Sequence, residues 1–238
     1  MDSMKLAGLD LDFHPEGYPF MAGAVVIAAL LGLLGCPFFF LGVALVIWCV
    51  YFFRDPPRVT PIKPGLIISP ADGKVVAIRD VEPDEELGLG TSPRTRISIF
   101  LNVFDVHVNR VPADGVIKTR HYRAGAFLNA ALDKASTDNE RMALAIELSG
   151  DGPHAKELLG VVQIAGLVAR RIVCTANEGE SFRAGQRYGI IRFGSRVDVY
   201  LPHGVAPFVA VGQYMIGGET VLADCASSEP VRVGKQRE

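Results

Sequence analysis

Three short stretches of this chain bring together residue types that can do chemistry. Ser69-Pro70-Ala71-Asp72-Gly73-Lys74 sets a carboxylate in a turn. The segment from Phe104 to Pro112 crowds Asp105, His107, Asn109 and Arg110 behind a hydrophobic run. Arg192-Phe193-Gly194-Ser195-Arg196 sets a hydroxyl directly after a glycine. Asp72, His107 and Ser195 are the parts of an assisted nucleophile: an orienting carboxylate, a base that titrates near neutrality, and a hydroxyl. Each part also has a plainer reading. An Asp-Gly turn is ordinary hairpin chemistry, a histidine at a strand end is as often structural, and Gly-Ser is a turn or bulge. The hydrolase elbow GxSxG is absent from the sequence, as are the GxGxxG and Walker patterns, so no nucleotide site is expected. The four cysteines, Cys36, Cys49, Cys174 and Cys225, show no CxxC or Cys/His spacing. They read as small buried hydrophobes in a reducing compartment, and no metal is expected.

Such residues need a scaffold, and the patterns after residue 60 are mostly those of strands. Leu66–Ile68, Lys74–Ile78, Ile97–Val103, Arg141–Leu148, Val161–Ile164, Ile172–Thr175, Tyr188–Phe193 and Val197–Leu201 are β-rich or alternating. In the last run Val197, Val199 and Leu201 alternate with Arg196, Asp198 and Tyr200, giving one apolar and one polar face. Helix signals are weak, and the best is a short piece near Phe127–Ala135. Glycines recur at turn-like intervals through the second half. The expected fold is mainly β, a compact sandwich or barrel-like domain with few short helices.

Composition adds a second part. The 238 residues carry a formal charge of −2, which argues against a nucleic-acid partner. From Tyr18 to Phe53 there are 36 residues without a single charged side chain or histidine. As one straight helix these would span about 54 Å, against a hydrocarbon core of about 30 Å. Gly35-Cys36-Pro37 offers a break, so a transmembrane hairpin of two short helices is favoured over one tilted span. A cleaved signal peptide fits poorly, because the run is long and no basic segment precedes it. The expected division is a flank at 1–17, an anchor at 18–53 and a catalytic domain at 54–238. Arg54, Arg58 and Lys63 follow the apolar run, which places the domain on the cytoplasmic side of the cell membrane.

Read together, SPADGKV (69–75), FDVHVNRVP (104–112), HYRAGAFLNA (121–130), DNERM (138–142), EGESFRAGQRYGIIRFGSRVDVYLP (178–202) and VGQYMIGGETVLA (211–223) resemble the short, bacterial or archaeal type of phosphatidylserine decarboxylase proenzyme. The likeness runs from about residue 60 to 223. It implies a lyase that converts phosphatidylserine to phosphatidylethanolamine with a covalent pyruvoyl group, without metal or nucleotide. It also implies that the precursor cuts itself between Gly194 and Ser195. The Ser195 hydroxyl attacks the Gly194 carbonyl to give an ester. A β-elimination breaks that ester, and hydrolysis with loss of ammonia leaves the pyruvoyl group. The products would be a β chain of residues 1–194 and an α chain of 195–238.

By the same resemblance Asp72 orients His107, which activates Ser195 and later protonates the decarboxylated carbon. Longer relatives carry a second histidine three residues on, where this chain has Arg110. Either His107 serves both steps or another group, with His121 a candidate, assists the cut. Asn109, Arg110 and His121 are candidate contacts to the substrate headgroup. Expected partners are phosphatidylserine in the bilayer, the membrane itself, the two halves of the precursor and further copies in a homo-oligomer. Two other readings remain open on the residues alone: an anchored carrier or adaptor module of short strands, and an anchored serine hydrolase using Asp72, His107 and Ser195.

Overall fold

The computed structural model describes residues 4–6, 9–125, 139–151, 154–166, 171–192, 194–232 and 234. The chain divides into two compact units, Met1–Pro57 and Arg58–Glu238. The expected helix at 127–135 lies outside the described residues.

The first unit holds two short antiparallel strands, β1 (Met4–Leu6) and β2 (Leu9–Leu11), then helices α1 (Tyr18–Gly32) and α2 (Cys36–Phe52). The break between the helices has a local cause. Gly35 adopts φ +120°, which side chains disfavour, and Pro37 occupies the first turn of α2, where its missing N–H costs nothing. Small residues then let the helices touch. A Cβ on Gly42 would lie 2.5 Å from the Ala28 Cα. Outside this seam the helices show apolar surface, with Leu30, Phe40, Leu41 and Ile47 all exposed. Pro15–Gly32, 18 residues counting the turn ahead of α1, is long and apolar enough to cross a membrane by length and composition, and α2 is a shorter apolar helix of 17 residues.

The second unit is mainly β, a sheet curled into a half-barrel. Its strands are β3 (Leu66–Ile68), β4 (Gly73–Val81), β5 (Arg94–Leu101), β6 (Val108–Arg110), β7 (Gly115–Arg123), β8 (Arg141–Leu148), β9 (Leu158–Ala165), β10 (Ile172–Cys174), β11 (Ser181–Phe182), β12 (Arg187–Ile191), β13 (Ser195–Tyr200), β14 (Tyr214–Met215) and β15 (Val221–Asp224). Eight of them form one antiparallel sheet in the order β11-β7-β8-β9-β13-β5-β4-β14. A three-stranded sheet, β10-β12-β6, and the pair β15-β3 complete the unit. Ile97, Ile99, Leu101, Val161, Val197 and Val199 line one face of the large sheet and share a buried core with Ile172 and Ile191 of the small one. Each such side chain contributes about 1.5–3 kcal/mol by leaving water.

The polar face expected on β13 is buried as well: Arg196, Asp198 and Tyr200 are each 2 % exposed or less. Arg196 pairs with Asp198 at 2.9 Å, and Tyr200 packs in a second cluster with Leu87, Leu89, Val162 and Ile164. Alternation in β13 therefore separates two buried faces. The Asp72-Gly73 turn does not close a hairpin, since β3 pairs with β15 and β4 with β5 and β14. The strand read as Ile97–Val103 ends at Leu101, because a side-chain-driven turn begins there. In it the Asn102 N–H donates to Asp105 Oδ2 at 2.8 Å, and the Phe104 N–H donates to Asn102 Oδ1 at 2.8 Å.

Candidate active site

The chemistry-bearing segments meet beside β6. The Arg110 N–H donates to the Pro70 carbonyl at 2.8 Å, which ties the Asp72 turn to that strand. The Gly217 N–H donates to Asp72 Oδ1 at 2.7 Å, and the Gly218 N–H to the Ser69 carbonyl at 2.8 Å, which adds the turn after β14. The link between β12 and β13 supplies the last piece. The Gly194 N–H donates to His107 Nε2 at 3.3 Å.

These bonds fix the state of His107, which is fully buried. Its Nδ1 lies 3.0 Å from the Asp105 carbonyl, which can only accept, so Nδ1 carries the hydrogen. The Gly194 amide can only donate, so Nε2 presents its lone pair. In this tautomer Nε2 faces the Gly194-Ser195 link. Gly194 itself sits at φ +72°, and a Cβ there would meet nothing within 4 Å. Glycine is required here for backbone conformation rather than for space. Ser195 opens β13 between Leu101 of β5 and Ala165 of β9. Its side chain is buried, and Oγ has no hydrogen-bond partner among the described residues. A buried hydroxyl left unpaired costs about 1–3 kcal/mol, so this one is held ready at a price to stability.

Asp72 has a partner that its motif does not announce. Its Oδ2 accepts from Arg58 Nη2 at 2.8 Å, with the two side chains 10 % and 12 % exposed. Burial nevertheless raises the Asp72 pKa above its ordinary value. Arg58 and the Gly217 amide pull it down, and the nearby Asp105 charge pushes it up. Asp105 in turn accepts from the Tyr214 hydroxyl on its Oδ1.

With this geometry in place, the comparison with known families is decisive. The phosphatidylserine decarboxylase family model matches residues 45–223. The chain belongs to the phosphatidylserine decarboxylase family. It is a carboxy-lyase of phospholipid biosynthesis, and the carrier and hydrolase readings fall away.

As a phosphatidylserine decarboxylase, the chain brings some expected residues together and leaves others elsewhere. His107, Gly194 and Ser195 are neighbours. Asp72 lies in the adjoining turn, bonded to Arg58 and Gly217. Asn109 is fully buried and accepts from Gln163 Nε2 at 2.7 Å, beneath Gly189 of β12, whose lack of a side chain leaves room for the amide. The Arg110 Nη1 donates to the Gly185 carbonyl at 3.0 Å. His121 stands apart. Its register runs through Ala143 and Val162 to Asp198, which puts it three strands from β13 and on the face opposite Ser195. There its Nδ1 lies 3.4 Å from Glu86. The residues that the sequence did not single out for the site are Arg58, Gln163 and Tyr214, together with Asp105 in its role of holding His107. Asp105 carried a signal in its position two residues before the histidine. Arg58 was legible only as a flanking charge. Among the described residues no group of three or more His, Cys, Asp or Glu is arranged to hold a metal.

Proposed function

We propose that this family member matures by cutting its own backbone between Gly194 and Ser195 and then decarboxylates phosphatidylserine to phosphatidylethanolamine. The observation that carries the reading is the basic Nε2 of His107 at 3.3 Å from the Gly194 amide, one residue from the unpaired Ser195 hydroxyl. Exchanging the Gly194 N–H for the Ser195 O–H as its donor would make His107 the base for attack on the Gly194 carbonyl. The positive φ of Gly194 supports a scissile peptide held in a sparsely populated conformation. Asp72, with a raised pKa beside Arg58, sits within the same cluster and helps to set its electrostatics.

The residues fit a pyruvoyl group derived from Ser195, since its Oγ is buried and unpaired, one residue from the Gly194 amide that faces the His107 imidazole. That group supplies a carbonyl that captures the substrate amine and draws electrons from the bond to the departing carboxylate. His107 then holds the proton destined for the substrate carbon. Residues 18–53 anchor the enzyme in the cell membrane with residues 54–238 on the cytoplasmic side, as Arg54, Arg58 and Lys63 support.

Denaturing electrophoresis and intact mass of the purified protein test the reading. Wild type should appear as two pieces of residues 1–194 and 195–238, with a blocked terminus on the smaller. Ser195→Ala should run as one chain of 25.6 kDa. An uncut wild-type chain would overturn the proposal.

A further inference from the structure

The two loops that build the site also carry a group of exposed apolar side chains. Phe104 is 61 % exposed, although Asp105 and His107 beside it are buried. In the segment around β14, Val211, Tyr214 and Ile216 are 58 %, 54 % and 38 % exposed. The Tyr214–Asp105 hydrogen bond joins these loops. The β14 loop is fixed to β4 by Gly212 N–H to the Val75 carbonyl at 2.8 Å and Val75 N–H to the Gln213 carbonyl at 2.9 Å. Single exposed hydrophobes are ordinary, whereas a group carried on the two loops that hold His107 and Asp72 is not.

From this we infer that Phe104, Val211, Tyr214 and Ile216 form a rim that dips into the lipid bilayer and seats the catalytic unit directly on its substrate. The inference rests on the substrate being a bilayer lipid. Withdrawing such a lipid whole into water would expose both acyl chains, whereas a mouth seated in the interface needs only the headgroup to move. The occupant is therefore a bilayer rather than a protein.

Local chemistry agrees. The Phe104 N–H donates to Asn102 Oδ1, the Asp105 N–H to the Asn102 carbonyl and the Asn102 N–H to Asp105 Oδ2, so three donors of the loop are satisfied within it and need no water. Tyr214 has an apolar ring with its hydroxyl turned inward to Asp105, a form suited to the interface. Lys74, exposed and paired with Tyr214 across β4 and β14, offers a cation to anionic headgroups.

The chain has one tryptophan, Trp48 in α2, which makes a depth measurement practical. Full-length protein carrying Trp48→Phe and Phe104→Trp is reconstituted in phosphatidylcholine vesicles containing phosphatidylserine, with and without bromine-labelled acyl chains. A companion carries Trp48→Phe and Tyr122→Trp, on β7 away from the rim. Quenching of the residue-104 tryptophan but not the residue-122 one supports the rim. Equal quenching of both, quenching of neither, or quenching at 122 alone overturns it. The readout does not depend on turnover, so an inactive protein would sink the decarboxylase reading without deciding this one. In active protein, Phe104→Ser with Val211→Ser should lower turnover of bilayer phosphatidylserine by on the order of tenfold and leave dispersed short-chain phosphatidylserine unaffected. Equal loss on both substrates would contradict the rim.

Discussion

The Gly194 amide donates to Nε2 of His107 at 3.3 Å, while the Asp105 carbonyl holds Nδ1 on the far side of the ring. A base whose tautomer is set from behind is ready to accept a proton without rotating. Replacing it by His107→Ala should slow self-cleavage by about 10²–10⁴-fold, the usual worth of a positioned base. The uncut fraction on denaturing gels over time checks this. Processing at the wild-type rate would remove His107 from the reaction.

Arg58 and Asp72 form a nearly buried pair. Arg58→Met should destabilise the second unit by about 1–3 kcal/mol, since a buried carboxylate loses its charged partner. The loss should depend on pH in a particular sense. The folded Asp72 pKa is raised above 3.8, so its attraction to Arg58 exists only once the carboxyl has ionised, above that raised value. Denaturant unfolding should therefore separate the variant from wild type at neutral pH and bring them together as the pH falls through the folded value. A constant gap across that range would show that the pair contributes by packing alone.

Glu86 predicts the same convergence at low pH from a pKa shifted the other way. Burial alone would raise its pKa, but hydrogen bonds from Arg141 and Arg123 and the Arg141 charge outweigh this and hold it below 4.5. A carboxyl depressed in the folded state adds stability that is complete above its ordinary value and is lost as pH falls through the folded one. Thermal unfolding of Glu86→Gln should lie below wild type at neutral pH and converge with it below about pH 4.5. Parallel curves down to pH 3 would refute this.

Gly73 tests the closeness of β4 to β5. It sits at φ +147°, and a Cβ there would come 2.3 Å from the Phe100 carbonyl oxygen. Gly73→Ala should cost roughly 2 kcal/mol or more from strain and overpacking, read as a lowered denaturant midpoint. Because Asp72 precedes it, processing should slow in parallel. A neutral effect would mean that the two backbones separate easily.

Much of this architecture could be read before any coordinates. Strand positions followed from alternation and glycine spacing, and Gly35 with Pro37 marked the break between the helices. Periodicity reports which faces of a strand differ but not what covers them, so the polar face of Arg196, Asp198 and Tyr200 carried no sign that it would be buried. Turn chemistry was legible at Asp72-Gly73, yet its pairing depends on β14 and β15, well over a hundred residues later. His107, Gly194 and Ser195 stood out by type. The partners that hold them, Asp105, Arg58 and Tyr214, are common residues whose role arises only when remote segments meet. His121 looked chemical by type, and the register of β7 carries it to the other face of the sheet.

The central place of β13, between β5 and β9, bears on the life history of the molecule. The proposed cut severs the chain where that strand begins, after β5 and β9 have closed around it. Before the cut, folding is an event within one chain, and its rate does not depend on how many copies are present. After it, the middle strand, β14 and β15 belong to a separate 44-residue polypeptide (195–238), so reassembly would become second order and would fail on dilution. Maturation would thus act as a ratchet. Only a chain that has already brought Asp72, His107, Gly194 and Gly217 together can make the cut, and once made it leaves no unimolecular route back.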